Sequence, residues 1–110
     1  MMHIQLLYMD DCPSWKRELQ NLKTALQLEA ISADVDLLKI RDDLEAARFK
    51  FLGSPSFRVN GRELWPEERE TYALSCRIYL SPQGAKGWHS VEMLREKLRE
   101  VELMQYGQGK

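Results

Sequence analysis

The chain has 110 residues, 44% of them hydrophobic and 30% charged, with a net charge of −1 at neutral pH. That length and composition fit one soluble globular domain over 1–110 and exclude the disordered and collagen-like classes. Sixteen basic against seventeen acidic residues leave no electrostatic footprint for nucleic acid or an anionic membrane, so a protein or small-molecule partner is expected. No apolar run is long enough to span a bilayer, and the opening MMHIQLLYMDDC lacks a basic region with a small-residue cleavage site; the expected location is the cytoplasm.

Residues 3–9, HIQLLYM, form a short apolar run with the content of a strand buried on both faces. Pro13 suits a first helical position, and Trp15, Leu19, Leu22 and Leu26 follow at spacings of four, three and four, which predicts a helix over about 13–29. Ala33, Val35 and Leu37, continuing into Leu38 and Ile40, predict a second strand, parallel to the first because a helix connects them. Asp42 and Asp43 supply a cap and an acidic first turn for a short helix that turns Leu44, Ala47, Arg48 and Phe51 at least in part inward and ends near Gly53. Ser56 to Val59 then reads as a strand running into an Asn60-Gly61 hairpin turn. Its return strand is expected at Cys76-Arg77-Ile78-Tyr79-Leu80, across a long charged loop over 61–75 with room for a short strand at Glu63 and Leu64. Ser81-Pro82-Gln83-Gly84 is turn chemistry, Ser90 caps a last helix built on Val91, Leu94, Leu98 and Val101, and 105–110 reads as a frayed tail. The order β-α-β-α-β-β-α is that of an α/β fold with helices on both faces of a mixed four-stranded sheet.

Two cysteines, Cys12 and Cys76, are too few for a disulfide scaffold, and Pro13, Ser14 and Trp15 after Cys12 leave no C-x2-C metal pair. In a reducing cytoplasm both thiols are expected to be free. Cys12 falls after the first strand at the amino end of the helix, where converging backbone N–H groups favour an anion. Lys16 and Arg17, one turn further in, favour a thiolate there, while Asp10 and Asp11 oppose it. Cys12 is therefore the candidate reactive thiol; its duller alternative is a simple helix cap.

Gly53-Ser54-Pro55 places a proline directly before a strand, a tight and sometimes cis connection that exposes the preceding backbone groups; the alternative is an ordinary trans turn. If Cys76 begins the return strand it lies away from Pro55 and Cys12 and reads as buried and structural, unless a bend brings the sulfurs together. A bond between them would close 64 positions (76 minus 12), worth about 4 kcal/mol of chain entropy. Trp15 and Phe57 offer an apolar wall beside the thiol or else pack in the core. Trp65-Pro66 with Glu67, Glu68, Arg69 and Glu70 reads as a lid or as a solvated loop pinned by one aromatic. His3 and His89 have no ligand spacing, so neither a metal nor a cofactor is expected, and Glu96, Lys97, Arg99 and Glu100 form a wet helix face.

A strand, Asp11-Cys12-Pro13-Ser14-Trp15 at a helix start and then Gly53-Ser54-Pro55-Ser56-Phe57 resembles the thioredoxin-like superfamily over nearly the whole chain. With Arg58-Val59-Asn60-Gly61-Arg62 and the later Cys76-Arg77-Ile78-Tyr79, it looks like the small bacterial thioredoxin-like proteins grouped by similarity with organomercurial (alkylmercury) lyases. The resemblance implies Cys12 as nucleophile or metal ligand, Pro55 in the cis form, and Ser54 backbone groups that bind an extended thiol partner. Trp15 stands where a thioredoxin has its resolving cysteine and a lyase its acid, so exchange within one motif is ruled out. A protonation step would fall to Asp10 or Asp11, and Cys76 takes a place comparable to the second lyase cysteine. The implied function is monothiol (CxxW) thiol–disulfide or thiol-redox chemistry at Cys12, resolved by Cys76 or an external thiol, on a thiol- or disulfide-containing protein or small molecule. The alternatives are soft-metal or organomercury handling by Cys12 and Cys76, and a non-catalytic binding module using the same groove.

Overall fold

A computed structural model describes residues 2–68, 70–77, 79–81 and 84–108. The apolar run at the start forms β1 (Met2–Tyr8), in which Met2, Ile4 and Leu6 enter one core and Leu7 enters another. After a turn, α1 (Ser14–Leu28) buries Glu18, Leu22, Ala25 and Leu26, positions that share one side of a helix. The chain leaves α1 through Ala30 in the left-handed region and returns as β2 (Ala33–Lys39), parallel to β1 and paired with it from Met2↔Ala33 to Tyr8↔Lys39.

The Asp42 carboxylate accepts the Glu45 N–H at 2.8 Å and starts α2 (Asp43–Phe49). This helix stops at Lys50, whose φ of 53° reverses the chain, rather than continuing to Gly53. Its one buried residue is Ala46, so Leu44, 80% exposed, and Ala47 and Arg48 face outward, contrary to the inward face expected of them. Phe51, just past the helix, is buried as expected.

β3 (Ser56–Val59) runs antiparallel to β1, with Ile4↔Val59 and Leu6↔Phe57 as partners, and turns through Asn60 and Gly61, both at positive φ as a two-residue hairpin requires. The return strand is β4 (Arg62–Glu63), close to the short strand the loop had room for, and none of the described residues of Cys76–Leu80 pairs with β3. Instead β5 (Tyr79–Ser81) forms a separate hairpin with β6 (Gly84–Lys86). Ile78 of the expected return strand and Pro82 and Gln83 of the expected turn lie outside the described residues. The Ser90 hydroxyl accepts the Met93 N–H at 3.2 Å and begins α3 (Val91–Gln108), which carries the helix through most of the expected tail; Gly109 and Lys110 lie outside the described residues.

The protein is thus α/β, with a mixed four-stranded sheet in the order β2-β1-β3-β4 and three helices among the described residues. Leu22, Ala25 and Leu26 of α1 and Leu94 and Leu98 of α3 cover one face with Met2, Ile4, Leu6, Phe57 and Val59. Ala46 of α2 covers the other with Leu7, Ile40 and Phe51, joined by the partly buried Tyr72 and Leu74. Glu29 at the end of α1 ties the two helices of the first face together through Arg95 at 2.7 Å and Arg99 at 2.8 Å. No helix among the described residues is long and apolar enough to cross a membrane.

Candidate functional site

The turn after β1 folds back so that the Cys12 N–H donates to the Met9 carbonyl at 3.2 Å, which carries the side chain inward while Asp11 stays exposed. Cys12 is only 2% exposed, and its thiol donates to the Ser54 carbonyl at 3.7 Å. Ser54 is itself buried, and its hydroxyl accepts the Met9 N–H at 3.1 Å. The Ser54–Pro55 peptide is cis, and the Pro55 carbonyl accepts the hydroxyl of buried Tyr79.

Cys76 arrives at this place by a route the sequence did not signal. Residues 75–77 lie alongside Ser54 in a parallel bridge: the Ser54 N–H donates to the Ser75 carbonyl at 2.7 Å and the Arg77 N–H donates to the Ser54 carbonyl at 2.9 Å. Further bonds tether the segment at both ends, from the Leu74 N–H to the Asp43 carboxylate at 2.9 Å and from the Arg77 guanidinium to the Trp65 carbonyl at 2.6 Å. Gly53 makes the approach possible, since its φ is +114° and a Cβ on it would stand 2.9 Å from the Arg77 Cβ.

The bridge sets Cys76 beside Ser54, whose carbonyl also accepts the Cys12 thiol, so the two thiols act on each other's titration. Burial pushes the Cys12 thiol up, but the Cys76 thiol, the Ser14 N–H and hydroxyl and the Ser54 hydroxyl together hold it below its ordinary value. Neither Asp10 nor Asp11 is among the groups acting most strongly on it. Cys76 is pushed up to about 11, first by the neighbouring Cys12 thiol, then by burial and by the charge on Cys12. The two thiols titrate as one unit that gives up its first proton easily and holds its second.

Several expectations change here. Cys76 is exposed rather than buried and structural, because it sits in an irregular segment on the rim and not in the return strand. Phe57 is 1% exposed in the core covered by α1 and α3, so it forms no wall for a partner. The Ser54 backbone groups are already used by residues 75 and 77, and are not open to an extended partner. Trp15 is partly buried against that same core, with its ring 4.2 Å from the Tyr8 ring. Asp10 is paired with Lys39. Trp65 pins its loop by stacking on the His89 ring at 3.5 Å.

Glu18 and His89 belong to the surroundings of the site and were not anticipated. Both are fully buried; one Glu18 oxygen accepts the His89 backbone N–H at 2.8 Å, and the other meets the ring Nδ1 at 2.7 Å. Burial raises Glu18 to about 8 and, with the charges of Arg77 and Lys97, lowers His89 to about 3, so the contact is a neutral carboxyl–imidazole hydrogen bond and not an ion pair. The His89 ring lies 3.7 Å from that of Tyr79, whose hydroxyl holds the Pro55 carbonyl. The only sequence signal was the place of Glu18 within the apolar stripe of α1, one residue from Leu19.

Among the described residues no three histidine, cysteine or acidic side chains gather as a metal site. No family model matches the chain, and no curated protein matches it.

Proposed function

We propose that this is a thiol–disulfide exchange protein of thioredoxin-like build in which Cys12 and Cys76 are oxidised and reduced as one pair. The observation that carries the reading is that both cysteines meet at Ser54 beside cis Pro55, Cys12 through its thiol on the Ser54 carbonyl and Cys76 as the bridge partner of Ser54. The sheet order β2-β1-β3-β4, with a cysteine at the start of α1 facing the cis proline before β3, supports the thioredoxin-like resemblance. A thioredoxin carries both sulfurs in one helical turn; here Trp15 fills that second position, and the second sulfur comes from residue 76. The Cys12 thiolate, hydrogen-bonded by Ser14 and Ser54, is a good leaving group, so an internal disulfide would be open to reduction by a partner thiol. The partner class is a thiol- or disulfide-containing protein or small molecule, and a resting dithiol suits the reducing cytoplasm.

Oxidation of the reduced protein with diamide, then digestion and mass spectrometry, tests this. The expected product is a peptide pair joined through Cys12 and Cys76 in a monomer; two cysteines that still accept iodoacetamide separately would overturn it.

Soft-metal handling is the second reading, favoured by the adjacency of two sulfurs, which suits a two-coordinate thiophilic ion. With Asp10 taken by Lys39, an organomercury reaction would draw its proton from Asp11. A binding module that docks a segment on Ser54 is disfavoured, because the chain's own residues 75–77 occupy that backbone.

A further inference from the structure

Resting on the paired reading of Cys12 and Cys76, we infer that partners exchange sulfur at Cys76, the reverse of what the sequence pattern suggests, and that Cys12 serves as the buried leaving and resolving thiol. The argument is one of access and direction. A thiolate attacks a disulfide sulfur in line with the bond it breaks, so the attacker must approach from the side opposite the departing sulfur. Cys76 is exposed on the rim. Cys12 is 2% exposed, with its thiol on the Ser54 carbonyl, so it offers a partner sulfur almost no open surface to approach.

The steps balance. In the reducing direction a partner thiolate attacks the Cys76 sulfur, the Cys76–Cys12 bond breaks, and its electron pair leaves on Cys12, whose thiolate is received by the Ser14 N–H and the Ser14 and Ser54 hydroxyls. A second partner thiolate then attacks the partner's sulfur in the mixed disulfide, which releases Cys76 as a thiolate that takes a proton from water and leaves the partner as a disulfide. In the oxidising direction the Cys76 proton shifts to the neighbouring Cys12 thiolate and the Cys76 thiolate attacks the partner disulfide. The expelled partner thiolate takes the proton from Cys12, and Cys12 closes the internal disulfide by displacing the second partner thiolate.

Glutathione is the probe. Oxidised wild type is mixed with reduced glutathione, quenched with acid at short times and mapped by mass spectrometry, and reduced Cys12→Ser and Cys76→Ser variants are timed with glutathione disulfide. The expected transient adduct in the wild type sits on Cys76, and Cys12→Ser gains one glutathione on the order of tenfold faster than Cys76→Ser does. A wild-type adduct on Cys12 would overturn the inference, as would a folded Cys76→Ser protein, checked by circular dichroism, that reacts at least as fast; the wild-type map stands whether or not the variants fold. Failure of the wild type to form an internal disulfide at all would instead refute the paired reading beneath it.

Discussion

Ser54 and Cys76 lie side by side as partners in a single parallel bridge, 22 positions apart in the chain (76 minus 54), with both backbone groups of Ser54 bonded to the neighbours of Cys76. That bridge turns two distant cysteines into one titrating unit. It also meets Cys12, whose buried thiol donates to the same Ser54 carbonyl, so the same few hydrogen bonds bear on both the chemistry of the pair and the route to it.

Replacing Cys76 by alanine removes the neighbouring thiol that helps hold Cys12 below its ordinary value. The Cys12 thiolate, followed by its ultraviolet absorbance against pH, should then form at higher pH than in the wild type, and the high step near pH 11 should vanish. A Cys12 titration that is unmoved by this change would mean that the two sulfurs are not coupled.

Gly53→Ala puts a methyl group 2.9 Å from the Arg77 Cβ at a position whose φ is +114°. The expected cost is roughly 1 to 3 kcal/mol in denaturant unfolding. Because the strain falls where the segment meets Ser54, Cys12 should also become more reactive to iodoacetamide. Equal Cys12 labelling in the two proteins would show that the segment does not shield it.

Much of the frame was legible because it is written locally. The apolar run of β1, the stripe of α1, the Asp42 cap and the Asn60-Gly61 turn each need only a few adjacent residues. Cys12 and Pro55 could be placed for the same reason, one at a helix start and one before a strand. The contact between Cys76 and Cys12 was not legible, since it depends on a bridge from an irregular segment whose course is set by Leu74, Arg77 and the absence of a side chain at Gly53. Phe57 looked like a candidate wall because its distance in sequence from Cys12 says nothing about which face of β3 it occupies. Glu18 was hidden for another reason: its burial is compensated by His89, 71 positions away.

The buried Glu18 and His89 pair makes stability depend on pH. In the folded protein the pair holds one proton between about 3 and about 8, whereas unfolded it holds two below 4.5, one from 4.5 to 6.5 and none above. Stability should therefore be flat from pH 4.5 to 6.5 on this account, fall as pH drops below 4.5, and fall again as pH rises from 6.5 towards 8. The alkaline loss should be about 2 kcal/mol. Glu18→Gln cannot lose a proton, so urea midpoints of this variant should lack that alkaline decline. A wild-type midpoint that rises over the same interval would contradict the neutral pair.

Equilibration of the wild type with mixtures of reduced and oxidised glutathione, read by intact mass after an acid quench, tests the central claim most directly. A Cys12–Cys76 couple predicts one reversible two-electron transition between dithiol and internal disulfide, which follows the square of reduced glutathione over its disulfide, with little stable adduct. Lasting glutathione adducts on either cysteine, set by the simple ratio of the two forms and without an internal disulfide, would contradict it.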